Sequence, residues 1–171
     1  MISASSAHTI QIPAAQSSRR FGGKDFLVIL ALLIVGAGFR WLAIPSHPVL
    51  ETDACVYLVS GKNLVEGKGL TCIDGGPDLV NPPLFPLAAG LLYLAIGNLE
   101  YAGILTTLIF GSLIIAATWW LGWTLFRERR IAWGAALIVA LHPRMVELSV
   151  ESTSEALYIF VLIAAIGVFV S

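Results

Sequence analysis

Long apolar runs alternate with short polar segments along most of this chain. Four such runs cover 26–44, 101–126, 131–150 and 156–171, the third only if Pro143 kinks the helix without ending it. A run of about twenty apolar residues is long enough to cross a bilayer as a helix. The pattern therefore predicts an all-α polytopic membrane bundle with about four transmembrane helices, occupying residues 26–171.

The composition agrees with a membrane protein. Of 171 residues, 57% are hydrophobic and only 12% are charged, about half the charged share of a soluble protein. These values exclude a soluble globular domain, a disordered chain and a coiled coil. The net charge of −1 also argues against a nucleic-acid partner, which would favour a basic surplus.

The two chain ends carry different signals. Residues 1–25 are polar and contain Arg19 and Arg20, so they predict a disordered cytoplasmic tail. A cleaved signal peptide is the alternative, because small residues 36–38 follow a short apolar core, but the run continues past them and favours a retained anchor. Arg40, near the far end of this run, is expected to snorkel to the interface. The last run has no cationic flank, so we expect a truncated chain.

Residues 45–100 are predicted to form an external loop. Apolar residues at helical spacing from Ala54 to Val65 predict a short amphipathic helix on the membrane surface. The apolar run 83–97 is too short to span. If it did span, Arg127, Arg129 and Arg130 would lie outside, against the positive-inside rule. We therefore expect 83–97 to lie in the outer interface.

Carboxylates are candidates for chemistry in both external segments. Glu51 and Asp53 begin the amphipathic helix, and Glu147, Glu151 and Glu155 share one face if their segment is a continuous helix. A carboxylate at the membrane surface can accept a proton from an acceptor hydroxyl or amine. The alternatives are helix capping by Asp53 and a solvated face for the three glutamates.

The order and spacing of several short motifs resemble a known enzyme family. The motifs are Asp53-Ala54-x-x-Tyr57, Asn63-Leu64-x-x-Gly67-x-Gly69, Asn81-Pro82-Pro83-Leu84-x-Pro86, Arg129-Arg130 and Ser154-Glu155-Ala156-Leu157-Tyr158. Together they resemble the N-terminal part of a GT-C-fold membrane glycosyltransferase. The similar branch is the protein-mannosyltransferase and aminoarabinose-transferase superfamily, with its Rgt-like relatives in glycosyltransferase family 39. The resemblance covers about residues 26–170, the first third of such an enzyme, and so implies an N-terminal piece that is inactive alone.

The resemblance implies a reaction and a catalytic base. Such enzymes transfer a sugar from a polyprenyl- or dolichyl-phosphate donor to an extracytoplasmic glycan, lipid or protein acceptor, typically with inversion. The family's first-loop acid, four residues before the tyrosine, falls on Asp53. Ala54 stands where many members have a second acid, for which Glu51 is a substitute at a different spacing. The implied location is a cell membrane, such as a bacterial inner membrane, with a cytoplasmic N-terminus.

The resemblance also implies substrate-binding residues, with one departure. Asn81 precedes Pro82 and Pro83 where the family often has a lysine or histidine that meets the lipid phosphate. Phosphate recognition is then expected from Arg144, from Lys62 or from a missing C-terminal part. The family's second acidic motif falls on Glu155. Members differ in metal use, so a divalent metal stays open, although Glu51 and Asp53 alone do not predict a metal site.

Two other functions remain open, as does the state of the cysteines. The chain could be a small non-enzymatic membrane subunit or a component of a flippase for a lipid-linked sugar. A flippase would require polar residues facing the bundle interior at mid-membrane, and the apolar runs lack them. Cys55 and Cys72 could pair in an oxidising compartment, although two free thiols are the favoured interpretation.

Overall fold

The described part of the chain is entirely helical. The computed structural model describes residues 22–44 and 52–171, and within these ranges the only β-type pairing is an isolated bridge between Thr71 and Pro77. This confirms the predicted all-α class. The helices are α1 (Gly23–Leu42), α2 (Thr52–Val65), α3 (Leu84–Ile96), α4 (Leu99–Phe126), α5 (Arg129–Leu141), α6 (Pro143–Glu147) and α7 (Glu155–Val170).

Two of the described helices are long and apolar enough to cross a membrane. They are Asp25–Leu42 in α1 and all of α4. The helices α3 and α7 are also apolar but shorter, with 13 and 16 residues, or about 20 and 24 Å at 1.5 Å per residue. Length and composition thus support two of the four predicted crossings. Of the predicted tail, residues 1–21 lie outside the described residues. Helix α1 begins at Gly23.

Contacts between helices fix their relative directions. Asp25 of α1 meets Arg129 of α5, and Arg40 meets the Ala140 carbonyl, so α1 and α5 run the same way. The aromatic pair Phe110–Phe160 and the contact of Gly167 with Trp120 show that α7 runs along α4. The arginines after α4 therefore lie beside the start of α1. The predicted sidedness requires this arrangement, with the arginines and the start of α1 on one side of the membrane. We call the two ends of the bundle the Asp25 end and the Arg40 end.

Small residues allow the helices to approach closely. Ala132, Ala136 and Ala140 form one buried face of α5, packed against Ile115 and Trp119 of α4. A methyl group on Gly36 of α1 would collide with Ile115, and one on Gly61 or Gly90 would collide with the backbone of the facing helix in the α2–α3 pair. Such small-residue contacts are typical of helix packing in membranes, where van der Waals contact replaces a hydrophobic driving force.

The run predicted as one helix over 131–150 is divided in two. Helix α5 ends at Leu141, and His142 has extended backbone angles of φ −65° and ψ 122°, as expected for a residue before proline. Pro143 then begins the five-residue helix α6. A turn and bends occupy 148–154 before α7 begins at Glu155. The condition under which Glu147, Glu151 and Glu155 would share one helical face is therefore not met.

Candidate functional site

Segments that are distant in sequence meet at the Arg40 end. Leu58 of α2, Phe85 and Ala89 of α3 and Leu157 of α7 form one buried cluster. Leu58 also lies against Gly103 in the first turns of α4. This cluster fixes the beginning of α2 beside the beginning of α7, where the sequence motifs place the candidate residues.

Tyr57 joins two of those motifs directly. Its ring packs edge-on against Phe85, with centroids 5.6 Å apart and an interplanar angle of 76°. The Ser154 hydroxyl approaches the Tyr57 hydroxyl at 3.5 Å, across 97 residues of sequence. This is a long contact for two hydroxyls, but it brings the Asp53–Tyr57 motif against the Ser154–Glu155 motif.

Each of the two motifs that meet here contains an exposed carboxylate. Asp53 lies in the first turn of α2, four residues before Tyr57 and so on the same helical side. Glu155 is the first residue of α7 and follows Ser154 directly. Asp53 is the second residue of α2, so it is not the N-cap, but its charge still suits the helix dipole there. Glu51, the other candidate acid, lies outside the described residues.

Arg144 is surrounded by acidic groups. Its Nη1 lies 2.7 Å from a Glu147 carboxylate oxygen and 3.8 Å from one of Glu151. The hydrogen bond and charge of Glu147 raise the pKa of Arg144, with smaller contributions from Glu151 and Glu155. The Arg144–Glu147 pair is more than half exposed, and such pairs contribute little stability. The guanidinium can therefore exchange its carboxylate partner for another anion at small cost.

Asn81 faces a buried carboxylate that sequence reasoning missed. Its side-chain amide donates to both oxygens of Asp78 at 3.0 and 3.1 Å, and its backbone N–H donates to one of them at 3.1 Å. The Ser60 hydroxyl donates to the same carboxylate at 2.8 Å. Burial alone would raise the pKa of Asp78, but the hydrogen bonds from Asn81, Ser60 and Val80 outweigh it and lower the pKa overall.

The hydrogen bonds to Asp78 fix the turn that leads to Pro82 and Pro83. The spacing of Asp78 and Asn81 before two prolines is the signal that could have revealed the turn, because Asp side chains commonly accept from the backbone a few residues on. Pro82 and Pro83 are exposed, and Pro83 is the N-cap of α3. Asn81 is thus engaged within the loop, and its contact with a substrate stays a prediction.

Arg40 is buried inside the protein and does not snorkel. It is 0% exposed, and it donates to the carbonyls of Gly36, Val139 and Ala140 at 3.0 to 3.3 Å and to the Ser149 hydroxyl at 3.0 Å. Because α5 ends before Pro143, its last carbonyls lack helical partners. Arg40 satisfies two of them and holds Ser149, where the segment leading to Glu155 begins.

The described residues include two free cysteines and no cluster of metal-binding side chains. Among residues 22–44 and 52–171, no group of three or more His, Cys, Asp or Glu side chains could hold a metal ion. Cys55 and Cys72 are both free thiols, as in the favoured interpretation of the sequence. Burial raises the pKa of Cys72, with further contributions from the charges of Asp78 and Asp74.

Comparison of the chain with protein-family models, with curated proteins and with solved structures found no match. A functional assignment therefore depends on the motifs themselves and on the way the fold brings them together.

Proposed function

We propose that this chain carries part of the active site of a membrane glycosyltransferase that uses a lipid-linked sugar phosphate. The supporting observation is the contact between Tyr57 and Ser154. It joins two motifs of the resemblance, each of which contains an exposed acid, Asp53 in one and Glu155 in the other. In this proposal the Arg40 end faces the extracytoplasmic side, where the acceptor arrives.

The proposed reaction is a single displacement. Asp53 accepts the proton of the acceptor hydroxyl as its oxygen attacks the anomeric carbon of the donor sugar. The new glycosidic bond forms while the bond from that carbon to the phosphate oxygen breaks, and the lipid phosphate leaves with the electron pair. Attack opposite the leaving group inverts the anomeric centre. Arg144 exchanges Glu147 for the donor phosphate and stabilises the charge that develops there.

The test compares Asp53→Asn with a matched control, Asp74→Asn, which changes an exposed acid elsewhere in the same loop. Both variants are expressed in place of the native protein, and the lipid-linked sugar pool is measured by mass spectrometry. Removal of a general base typically slows turnover about 10²–10⁴-fold, so Asp53→Asn should accumulate donor while Asp74→Asn should not. Asn removes the charge of Asp53 and with it a helix-dipole interaction of only about 0.3–1 kcal/mol. A fully active Asp53→Asn would therefore leave the helix dipole as the role of Asp53 and contradict the proposal.

Glu51→Gln is the companion variant, because Glu51 is the nearby acid that could replace the missing second carboxylate. If Glu51→Gln abolishes transfer while Asp53→Asn does not, the base is two residues away from the position that the tyrosine spacing indicates. That result would preserve a transferase function and overturn the role of Asp53.

A flippase component is the alternative function. The buried contact between Arg40 and Ser149 lies at one end of the bundle and not at mid-membrane, so it does not favour this alternative. The two functions differ in the leaflet where donor accumulates when the protein is absent. Loss of a transferase leaves the sugar accessible to membrane-impermeant periodate from outside, whereas loss of a flippase leaves it protected. An unchanged pool would contradict both functions and favour a non-enzymatic subunit.

A further inference from the structure

Two aliphatic side chains in the loop before α3 are almost fully exposed. Leu79 is 86% exposed and Val80 is 91% exposed. Isolated exposed aliphatic residues are common on soluble surfaces, but these two are adjacent and continue into a longer apolar surface. They therefore require a partner that removes them from water.

The backbone holds these side chains outward. The buried Asp78 carboxylate accepts hydrogen bonds from the backbone N–H groups of Val80 and Asn81, and the Asp78 N–H donates to the Leu70 carbonyl at 2.9 Å. Pro82 and Pro83 follow and restrict the backbone further. The turn is therefore fixed on both sides, and its two aliphatic side chains cannot fold back onto the protein without breaking this network.

The apolar surface continues along α3. Leu84, Leu87, Leu91 and Leu94 are 39 to 62% exposed, and their spacing places them on one face of the helix. Phe85 and Ala89, on another face, are buried against α2 and α7. Residues 79–99 contain no Asp, Glu, Lys or Arg. We call Leu79, Val80 and these four leucines the leucine surface.

We propose that the leucine surface contacts the acyl chains of the bilayer leaflet at the Arg40 end, with Leu79 and Val80 inserted as a membrane-dipping turn. Two observations favour lipid over a protein partner. The surface is purely aliphatic, whereas protein interfaces rely on Trp, Tyr and Arg anchors within a polar rim. It also adjoins α4, a helix of spanning length, through the tight turn at Gly97 and Asn98.

Helix α3 connects the leucine surface to the candidate site. Phe85, on the buried face of α3, packs against Tyr57. The membrane contact itself does not depend on the proposed glycosyl transfer, and it can be tested without any sugar donor.

The first experiment uses the unchanged protein in phosphatidylcholine vesicles with a membrane-soluble diazirine. Illumination generates a carbene that inserts into neighbouring bonds, and mass spectrometry locates the modified residues. We expect label on Leu79 and Val80 at several times the level on Asp74 and Gly75 at the tip of the preceding turn. Equal labelling of the two pairs would overturn the proposal.

The second experiment measures depth at single positions. A cysteine replaces Leu79 or, as the matched control, Asp74, in a Cys55→Ala, Cys72→Ala background, and each carries an NBD fluorophore. Spin-labelled acyl chains should quench the probe at position 79 and aqueous iodide the probe at position 74. Iodide quenching at 79 as strong as at 74 would contradict insertion. Shielding of position 79 that disappears on dilution of the protein in lipid would instead show contact with a second copy and would also overturn the proposal.

Discussion

The two ends of α1 each bury a charged side chain, and the two charges are satisfied in different ways. At one end, Asp25 forms an ion pair with Arg129 of α5 at 2.9 Å. At the other end, Arg40 bonds to backbone carbonyls and to one hydroxyl. No carboxylate lies within 4.0 Å of the Arg40 guanidinium among the described residues.

The difference follows from what α5 presents at each end. Its first turn begins with Arg129, whose positive charge can pair with an acid. Its last turn presents carbonyl groups that carry the negative end of the helix dipole, and a cation is the group that satisfies them best. The Asp25 end is thus joined by opposite charges, whereas the Arg40 end depends on the break in the helix before Pro143.

Replacing Arg40 should have the largest effect on stability. Arg40→Leu leaves the Val139 and Ala140 carbonyls buried without a donor, and each unsatisfied group costs about 1–3 kcal/mol. We expect a loss of about 4 kcal/mol in the free energy of unfolding, measured by steric trapping in bicelles. Arg40→Lys, which keeps the charge with fewer donors, should recover part of it.

Ser149→Ala serves as the control for this measurement. It removes one acceptor of the Arg40 side chain while both α5 carbonyls keep their donor, so the expected loss is about 1 kcal/mol. If Arg40→Leu were no more destabilising than Ser149→Ala, the carbonyls of α5 would not be the groups that Arg40 stabilises.

Removal of Arg129 should have a smaller but still large effect, and it should be reversible by a second change. Arg129→Gln leaves the Asp25 carboxylate, which is 1% exposed, without its cation. Breaking a buried pair in this way costs about 3–5 kcal/mol, and we expect about 3 kcal/mol because the Arg129 side chain is itself 27% exposed. In the double variant Asp25→Asn, Arg129→Gln, most of the stability should return.

The same double-variant measurement distinguishes the two ends. Rescue by removal of an acid is expected at the Asp25 end alone, because Arg40 has no acidic partner among the described residues. A double variant as unstable as Arg129→Gln would show that the ion pair is not the interaction that joins α1 to α5 there.

The boundaries of the long helices could be predicted from the sequence. The run predicted at 101–126 is observed as Leu99–Phe126, and the run at 156–171 as Glu155–Val170. Local signals set such boundaries: the Asn98 side chain, for example, accepts from the Tyr101 N–H and caps α4. The split of the 131–150 run was also signalled locally, by Pro143, but apolar length alone favoured a longer helix.

The interior of the candidate site could not be predicted in the same way. The roles of Arg40 and Asp78 depend on partners brought from elsewhere by the fold, over 109 residues for Arg40 and Ser149. A lone arginine near the end of an apolar run is compatible with snorkelling as well as with burial. Tyr57 and Ser154, from two of the motifs, do meet in the fold, but the motifs alone give no distance between Asp53 and Glu155, and the roles of these two acids stay predictions.

The smallest expected effect concerns Asp78, which extends the comparison because its charge, like that of Arg40, is satisfied by neutral groups. Its hydrogen bonds lower the pKa in the folded protein below the ordinary value of 3.8. A group of this kind stabilises the fold fully above its unfolded pKa, and the contribution is lost as the pH falls through the folded pKa. Stability should therefore decline below about pH 4, and the decline should be shallower in Asp78→Asn, which cannot titrate. Unfolding of both proteins in matched detergent from pH 6 to pH 2 measures this difference in slope. Parallel curves would show that the neutral donors do not favour the charged form of Asp78. Asp78 would then not be comparable to Arg40.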